Sequence, residues 1–396
     1  MAGLDECFAD GVLIRPSPQQ ANLVSLIRAI AAVASVEDVP VSPPVRELID
    51  LIGPADHMLF VLLDGLGMNL VDRLPPGSFL ARTFRRELLA TCPSTTACAL
   101  TSIATTEHAN RHGVTGWFTH LPHLGITATV LPFTERFSGE PLGKRGIRVE
   151  HVLPLPTLCP RMPRRTLTVV PAPLANTAYN NYCRGGTPGF GYTSLPEAID
   201  ALVAHVRADA SPSYAHLYLP EVDSMCHKLG ADHPSVVPLV EGIGTELERL
   251  AEAMGNRIRI AISADHGLID VPKSDQALLF AGDPLLELLS VPPSGDARMP
   301  VFHVRPGQHA AFEAAFDERY SDRMALVDTP QVERMQLFGP GALSPKVRDR
   351  FGDFVAFPFR AATLAYHPPN KPVGELFLAV HAGLSPQEMR VPLCVW

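Results

Sequence analysis

The sequence lacks any apolar run long enough to cross a bilayer. Although 46% of its 396 residues are hydrophobic and only 19% are charged, no uncharged stretch approaches the roughly 18–20 residues that a spanning helix needs. No membrane span is expected. There is no basic-then-apolar leader either: Met1-Ala-Gly-Leu-Asp-Glu-Cys-Phe-Ala-Asp10 puts acids where a secretory signal carries Lys or Arg, so a cytoplasmic protein is expected. The seven cysteines (Cys7, Cys92, Cys98, Cys159, Cys183, Cys226 and Cys394) include no Cys-x-x-Cys pair. An odd number cannot all pair, and reduced thiols are the expectation. Positive charge is not in excess: the net charge is −8, with Lys and Arg spread along the chain, which argues against a nucleic-acid polymer as partner. A small anionic substrate is still compatible, because bound metal ions would invert the local field. Internal repeats and low-complexity tracts are absent as well.

What is present is a chain long enough for one large core with an insertion. Met58-Leu-Phe-Val-Leu-Leu63 is an unbroken apolar run of the kind a parallel strand buried on both faces requires. Similar runs are Tyr214 to Leu219, Ile258 to Ser263 and Leu376 to Val380, and helical patterns separate them, among them Ala21 to Val33, Ser235 to Met254 and Gln308 to Tyr320. This alternation predicts an α/β fold with a doubly wound, mostly parallel sheet flanked by helices. Prolines recur between 118 and 192, strands there look short, and Tyr179 to Gly186 reads as loop. That stretch is expected to be a small inserted cap, with 1–117 and 193–396 forming the catalytic core. A second irregular stretch, about 272 to 375, reads as a smaller lobe or as long excursions from the sheet.

Each run is followed by chemistry. Asp64 follows the first, Glu221 and Asp223 the second, Asp265 and His266 the third, and His381 the fourth. Ligands in open α/β sheets gather outside the carboxyl ends of strands, so residues far apart in sequence can converge there. Two-metal hydrolysis needs oxygen and imidazole donors in two groups about 3.5–4 Å apart, and the chain offers enough for both. Asp223 and His227, at i and i+4, share a face if their segment is helical; a solvated helix face is the plain alternative. Asp265-His266-Gly267 after a buried strand is either a turn with a capping Asp or a carboxylate whose burial is offset by a cation. In Asp64-Gly-Leu-Gly67 the glycines would let backbone approach a ligand closely. Ser94, Thr95 and Thr96 form a hydroxyl cluster at a helix start, where one would ordinarily be an N-cap and where an anionic phosphoryl group would also be at home.

Taken in order, Asp64, Pro93-Ser-Thr-Thr96 with Thr101-Ser-x-x-Thr105 and His112-Gly113, Glu221-x-Asp-x-x-x-His227, Ala264-Asp-His-Gly267 and a late His381 resemble the alkaline phosphatase superfamily. Within it the sequence is most similar to the type I phosphodiesterase and nucleotide pyrophosphatase family. The resemblance implies an alkaline phosphatase-like core. It also implies two divalent metal ions, one held by Asp64, Thr96, Asp265 and His266 and the other by Asp223, His227 and His381, with zinc suited to the mixed donors. It implies Thr96 as nucleophile, Thr96 rather than Thr95 because it is the fourth residue of Pro-Ser-x-Thr. The expected activity is hydrolysis of a small phosphate ester, phosphodiester or nucleotide pyrophosphate, through a phosphothreonine.

The family's asparagine three residues after the nucleophile is Ala99 here, and Asn180, Asn181 or Arg184 are the candidates to replace its contact with a phosphoryl oxygen. The family's His-Gly continuation is also missing after His381, which is followed by Ala382. No cysteine has the neighbours a sulfatase needs. A phosphomonoesterase or phosphonate hydrolase would share this core, and a non-catalytic binding protein on a hydrolase scaffold is the alternative outside enzymes.

Overall fold

The structure, a computed structural model, describes residues 3–208, 210–369 and 376–396. A seven-stranded sheet forms the centre, in the order 84–89, 390–395, 258–263, 57–63, 213–219, 165–171, 189–192. Every neighbouring pair from Ile258–Ser263 to Gly189–Tyr192 is parallel, and only Arg390–Val395 runs against its neighbours. His57–Leu63 is buried along its whole length, as its unbroken apolar run requires when strands lie on both sides and helices cover both faces. Helix Leu195–Arg207 packs on Val236–Met254, and Leu23–Val33 on Pro43–Ile52 and Thr96–Thr105. Asn22 caps its helix by accepting from the Ser25 amide, 2.9 Å, which fixes the start expected at Ala21 two residues later.

Register decides where the chemistry goes. Leu63 pairs with Leu219 and Leu62 with Ser263, so three parallel strands end level. The residues after them therefore leave the same edge.

The expected fourth strand, Leu376 to Val380, is corrected. Only Ala379–Val380 is extended, and it pairs antiparallel with Ile269–Asp270 outside the main sheet. Phe377 and Leu378 lie at the surface, and Phe377 stacks on His227 with ring centroids 4.2 Å apart, so this apolar run covers the site instead of filling the sheet. The sheet's C-terminal strand is Arg390–Val395. Tyr179 to Gly186, read as loop, is also corrected: Ala178–Arg184 is a helix, capped by the Thr177 hydroxyl and ended by Gly185 in the left-handed region.

A second seven-stranded sheet joins Phe118–Leu121, Ile126–Thr129 and Thr134–Glu135 to Ser294–Asp296, Met299–Phe302, Phe354–Pro358 and Met324–Asp328. Its adjacent strands are antiparallel. Of the stretch 118–192, the first part thus belongs to this sheet and Arg165–Pro171 with Gly189–Tyr192 to the main one. Phe302, Phe312, Phe316 and Phe354 give the second sheet and helix His309–Tyr320 a core of their own. The two regions are tied by a buried ion pair. Arg298 donates to both carboxylate oxygens of Glu388 (2.9 and 2.6 Å) and to the carbonyls of Arg360 and Ala362. Breaking such a pair by removing one partner costs about 3–5 kcal/mol. Glu388 in turn accepts from the Gly383 amide, 2.8 Å, and so fixes the loop that begins at His381.

Candidate metal centre

Asp64 and Asp265 leave adjacent strand ends and meet at once: Asp265 Oδ1 accepts from the Gly65 amide at 3.1 Å and from the His266 amide at 3.0 Å. Gly65 has φ +78°, and a Cβ there would come within 2.9 Å of Asp223 Cα. Gly67 and Gly267 face one another so closely that a Cβ on either would come 2.8 Å from the other's Cα. The two glycine-containing motifs are therefore what lets the two loops close over each other. Asp223 and His227 stand on helix Glu221–Leu229, with His227 Nε2 3.2 Å from Asp223 Oδ1.

Thr96 is the first residue of helix Thr96–Thr105, after Thr95 in extended conformation. Its hydroxyl lies 3.1 Å from His266 Nε2. Thr95 occupies the N-cap position but makes no capping bond; its buried hydroxyl faces Asp296 and helps to hold that carboxyl down against its burial. Ser102 and His112, at 3.0 Å, pin this helix to the next turn; His112 Nδ1 accepts from the Val114 amide, so Nε2 donates to Ser102. His381 is brought in by the loop that precedes Thr96. Its Nδ1 is 3.2 Å from the Ser94 carbonyl, and the Ser94 hydroxyl donates to Gly383 O at 2.6 Å. Ala382 between them has φ +103°, a conformation that disfavours any side chain with a Cβ.

Two groups result, Asp64 with Asp265 and His266, and Asp223 with His227 and His381; within each, one donor atom per residue lies within 4.8 Å of the others. The donors are prepared for a cation. His227, His266 and His381 each direct Nδ1 at a backbone carbonyl, of Ala379, Gly267 and Ser94 respectively. A carbonyl can only accept, so Nδ1 carries the proton and Nε2 a lone pair, the usual state of a metal-binding imidazole. Opposite those lone pairs stand carboxylate oxygens: Asp64 Oδ1 and Asp265 Oδ2 lie 3.5 and 3.4 Å from His266 Nε2, and Asp223 Oδ1 faces His227. All three oxygens are buried without a hydrogen-bond partner among the described residues. Acceptors facing acceptors in a buried site are costly until a cation or a proton lies between them. Without one, burial and the neighbouring Asp265 and Asp223 charges push Asp64 well up, burial and Asp265 push up Asp223, and burial carries Asp265 to about 6. Burial pushes His266 down to about 3 and lowers His227, and burial with the neighbouring imidazoles lowers His381, so all three are neutral. The residues present fit two divalent ions.

Two cavities of about 490 Å³ each open on this centre, and Thr96, Trp117 and Asp223 line both. The first runs past Leu100, Ile103, Leu131, Tyr179 and Tyr214; the second past Phe118, Arg136, Asp296, Tyr366 and Phe377 to His227 and His381. Asn180 and Arg184 line the first cavity, but Asn180 donates its amide to Leu174 O and Thr177, and Arg184 donates to Asn181 at 2.6 Å. Asn181 is not among the lining residues of either cavity.

Sequence reasoning passed over Tyr218, which donates to Asp64 Oδ2, and Trp117, Arg136 and Asp296. Tyr218 carried a signal: Tyr214, His216 and Tyr218 alternate along one strand, and all three line the first cavity. The others come from the second sheet or from the turns on either side of its strands and had none.

A level-ended parallel sheet with Asp, His and Thr donors on its carboxyl edge defines a hydrolase core of the alkaline phosphatase type. The sequence profile of the type I phosphodiesterase / nucleotide pyrophosphatase family matches residues 58–376, and the chain belongs to that family. Its fold is similar to murine ectonucleotide pyrophosphatase / phosphodiesterase 5, with TM-score 0.64, 13% identity, and 85% of this chain and 87% of that one covered. The human counterpart gives 0.61 at 14% identity, over 85% and 87% of the two chains. Phosphonoacetate hydrolase from Sinorhizobium meliloti 1021, solved with phosphonoformate, gives 0.60 at 17% identity over 85% and 89%. No curated protein sequence matches. No helix among the described residues is long and apolar enough to cross a membrane.

Proposed function

We propose that the chain hydrolyses a small phosphate ester of the diester or pyrophosphate type, with Thr96 as nucleophile. The observation that carries this reading is the position of the Thr96 hydroxyl, 3.1 Å from His266 Nε2, in a centre with three buried carboxylate oxygens that lack hydrogen-bond partners among the described residues. Family members generally work with two divalent ions. Here Asp64, Asp265 and His266 with Thr96 would hold one, and Asp223, His227 and His381 the other, zinc being the ion that best suits this set of nitrogen and oxygen donors. Such ions would acidify the Thr96 hydroxyl and neutralise charge on the phosphoryl oxygens. The chain supplies the rest. Helix Thr96–Thr105 presents its positive end to the phosphoryl group, and Tyr218 orients Asp64. Thr96 Oγ forms a bond to phosphorus as the bond to the leaving oxygen breaks, the hydroxyl proton going to the departing alcohol; water then cleaves the phosphothreonine, its oxygen passing to phosphorus and one of its protons to Oγ.

Two cavities meeting at Thr96 support an ester with a substituent on each side. Leu131, Leu158 and Tyr179 wall the first, and Phe118 and Arg136 the second, which supports reading 118–192 as the part that faces substrate. The test compares rates on an aryl phosphodiester, a monoester, a phosphonate and a sulfate after chelation and after zinc is restored. Zinc-dependent turnover fastest on the diester is expected. Full activity after exhaustive chelation would sink the two-ion reading; negligible rates on all four with metal bound would favour a binding protein.

A further inference from the structure

We propose that His216 is a specificity-determining residue of the first cavity, and that the ester arm lying there is uncharged and largely apolar but carries one hydrogen-bonding group, a hydroxyl or an amide, for the imidazole. The inference rests on the hydrolase reading and deepens it by naming the chemistry of one arm. Tyr214, His216 and Tyr218 alternate along Ser213–Leu219 and so share a face, and all three line the cavity. Tyr218 donates to Asp64 at the metal centre. Two residues of a strand cover about 7 Å, so His216 stands about that much further along the cavity wall. Leu100, Ile103, Val170 and Leu174 make much of the remaining wall apolar.

The imidazole is packed but not bonded. On one side it stacks on Phe60, its partner on the adjacent strand, with ring centroids 5.4 Å apart and planes 17° apart. On the other side its strand neighbour is Thr168, whose hydroxyl serves the Cys159 thiol. Nε2 is buried without a hydrogen-bond partner, and no described residue bonds Nδ1. A buried polar group left unbonded is costly, and its partner then comes from outside the chain, as water or as ligand. Packing against Phe60 would be served equally well by an apolar side chain, without that cost.

The class of the group follows from the charge around the ring. Burial alone pushes the His216 pKa down to about 4, and no charged neighbour acts on it, Arg184 of the same cavity included. The imidazole is therefore neutral at physiological pH, with one N–H to donate and one lone pair to accept. A hydroxyl or an amide answers both. An ionised group would instead be carried into an apolar space with no opposite charge to meet it.

The test is calorimetric binding of three probes that cannot be hydrolysed to the zinc-loaded protein: pentylphosphonate, its terminal alcohol and its terminal carboxylate. Wild type is expected to bind the alcohol at least as tightly as the plain alkyl probe. In His216→Phe the alcohol is expected to bind about tenfold more weakly than the alkyl probe, the scale of a hydroxyl buried without a partner. The affinities of the alkyl and carboxylate probes are expected to change by less than about twofold. His216→Met gives the same readout should the Phe variant not fold, and His216→Gln, which keeps a hydrogen-bonding group, is expected to restore the alcohol. An alcohol penalty that is the same in wild type and in the apolar variants overturns the proposal and leaves His216 a packing residue. A carboxylate probe that loses as much as the alcohol does overturns the uncharged class. Loss of turnover on every ester would instead overturn the hydrolase reading, and the binding comparison would still decide the role of His216.

Discussion

The two donor groups are alike in composition but not in setting. Asp64, Asp265 and His266 expose 2%, 0% and 0% of their side chains, whereas Asp223, His227 and His381 expose 14%, 15% and 12%. The first group is built from strand ends and glycine turns inside the sheet edge. The second is assembled from a helix, a loop and the apolar segment that lies over them. Burial of this kind makes an ion slow to leave, and exposure makes it exchangeable. The first group therefore reads as the fixed half of the centre, to which Thr96 belongs by its contact with His266, and the second as the half that meets solvent and substrate.

The largest expected effect concerns the fixed half. Thr96→Ala should lower turnover by about 10³-fold or more while both ions are retained. Thr95→Ala should remain active; the reverse pattern would move the nucleophile by one residue and separate it from His266. Next, His227→Ala and Asp265→Asn should each lower affinity for one ion by more than about 100-fold, beyond the roughly 10- to 100-fold that losing an outer-shell partner costs. With the wild-type protein, a weak chelator should withdraw one equivalent quickly and the other slowly, followed by metal analysis against time. Simultaneous loss would erase the distinction between the groups.

A smaller effect comes from pH. For Asp64, Asp223 and Asp265 the folded metal-free protein holds protons that the unfolded chain has released, because the folded pKa values stand above the ordinary 3.8, at about 6 for Asp265. These three carboxyls make metal-free stability fall as pH rises from about 4 upward, while His266, His227 and His381, with folded pKa values below the ordinary 6.5, make it rise over the same range. Melting curves with and without zinc should diverge as pH rises through about 6, the metal-bound form gaining on the metal-free one, because the imidazole contributions are common to both. Parallel curves would show that the carboxylates are not the groups being neutralised. The smallest effect tests the loop of the exchangeable half. Ala382→Gly should raise stability by about 1 kcal/mol, since φ +103° costs Ala but not Gly, and an unchanged melting temperature would deny that the loop is strained.

Much of the fixed half was legible in the sequence, and for a physical reason. Strands buried on both faces must be apolar throughout, so Met58 to Leu63, Tyr214 to Leu219 and Ile258 to Ser263 announce themselves, and the polar residues that end them are conspicuous. The same rule misread Leu376 to Val380, where an apolar run serves as a cover over His227. Phe84–Leu89, with the sequence Phe-Arg-Arg-Glu-Leu-Leu, gave no warning, because an edge strand can carry charge. The second sheet was illegible for another reason. Its strands are short and interrupted by turns, and Phe118 reaches Gly295 only across more than half the remaining chain, so local pattern carries no trace of the pairing. The cavity residues Arg136 and Asp296 were hidden with it.

The strand order has a consequence in time. All donors of the buried group lie at or before His266, on strands that are neighbours in the middle of the sheet, whereas the exposed group waits for His381. At the roughly 5–20 residues per second of synthesis, the interval between them is on the order of ten seconds. On the two-ion reading, a growing chain completes the first group well before the second has all its donors. Chains halted on the ribosome past residue 300 should carry one equivalent, and those carried through His381 two, so that the centre fills in the order in which it is made.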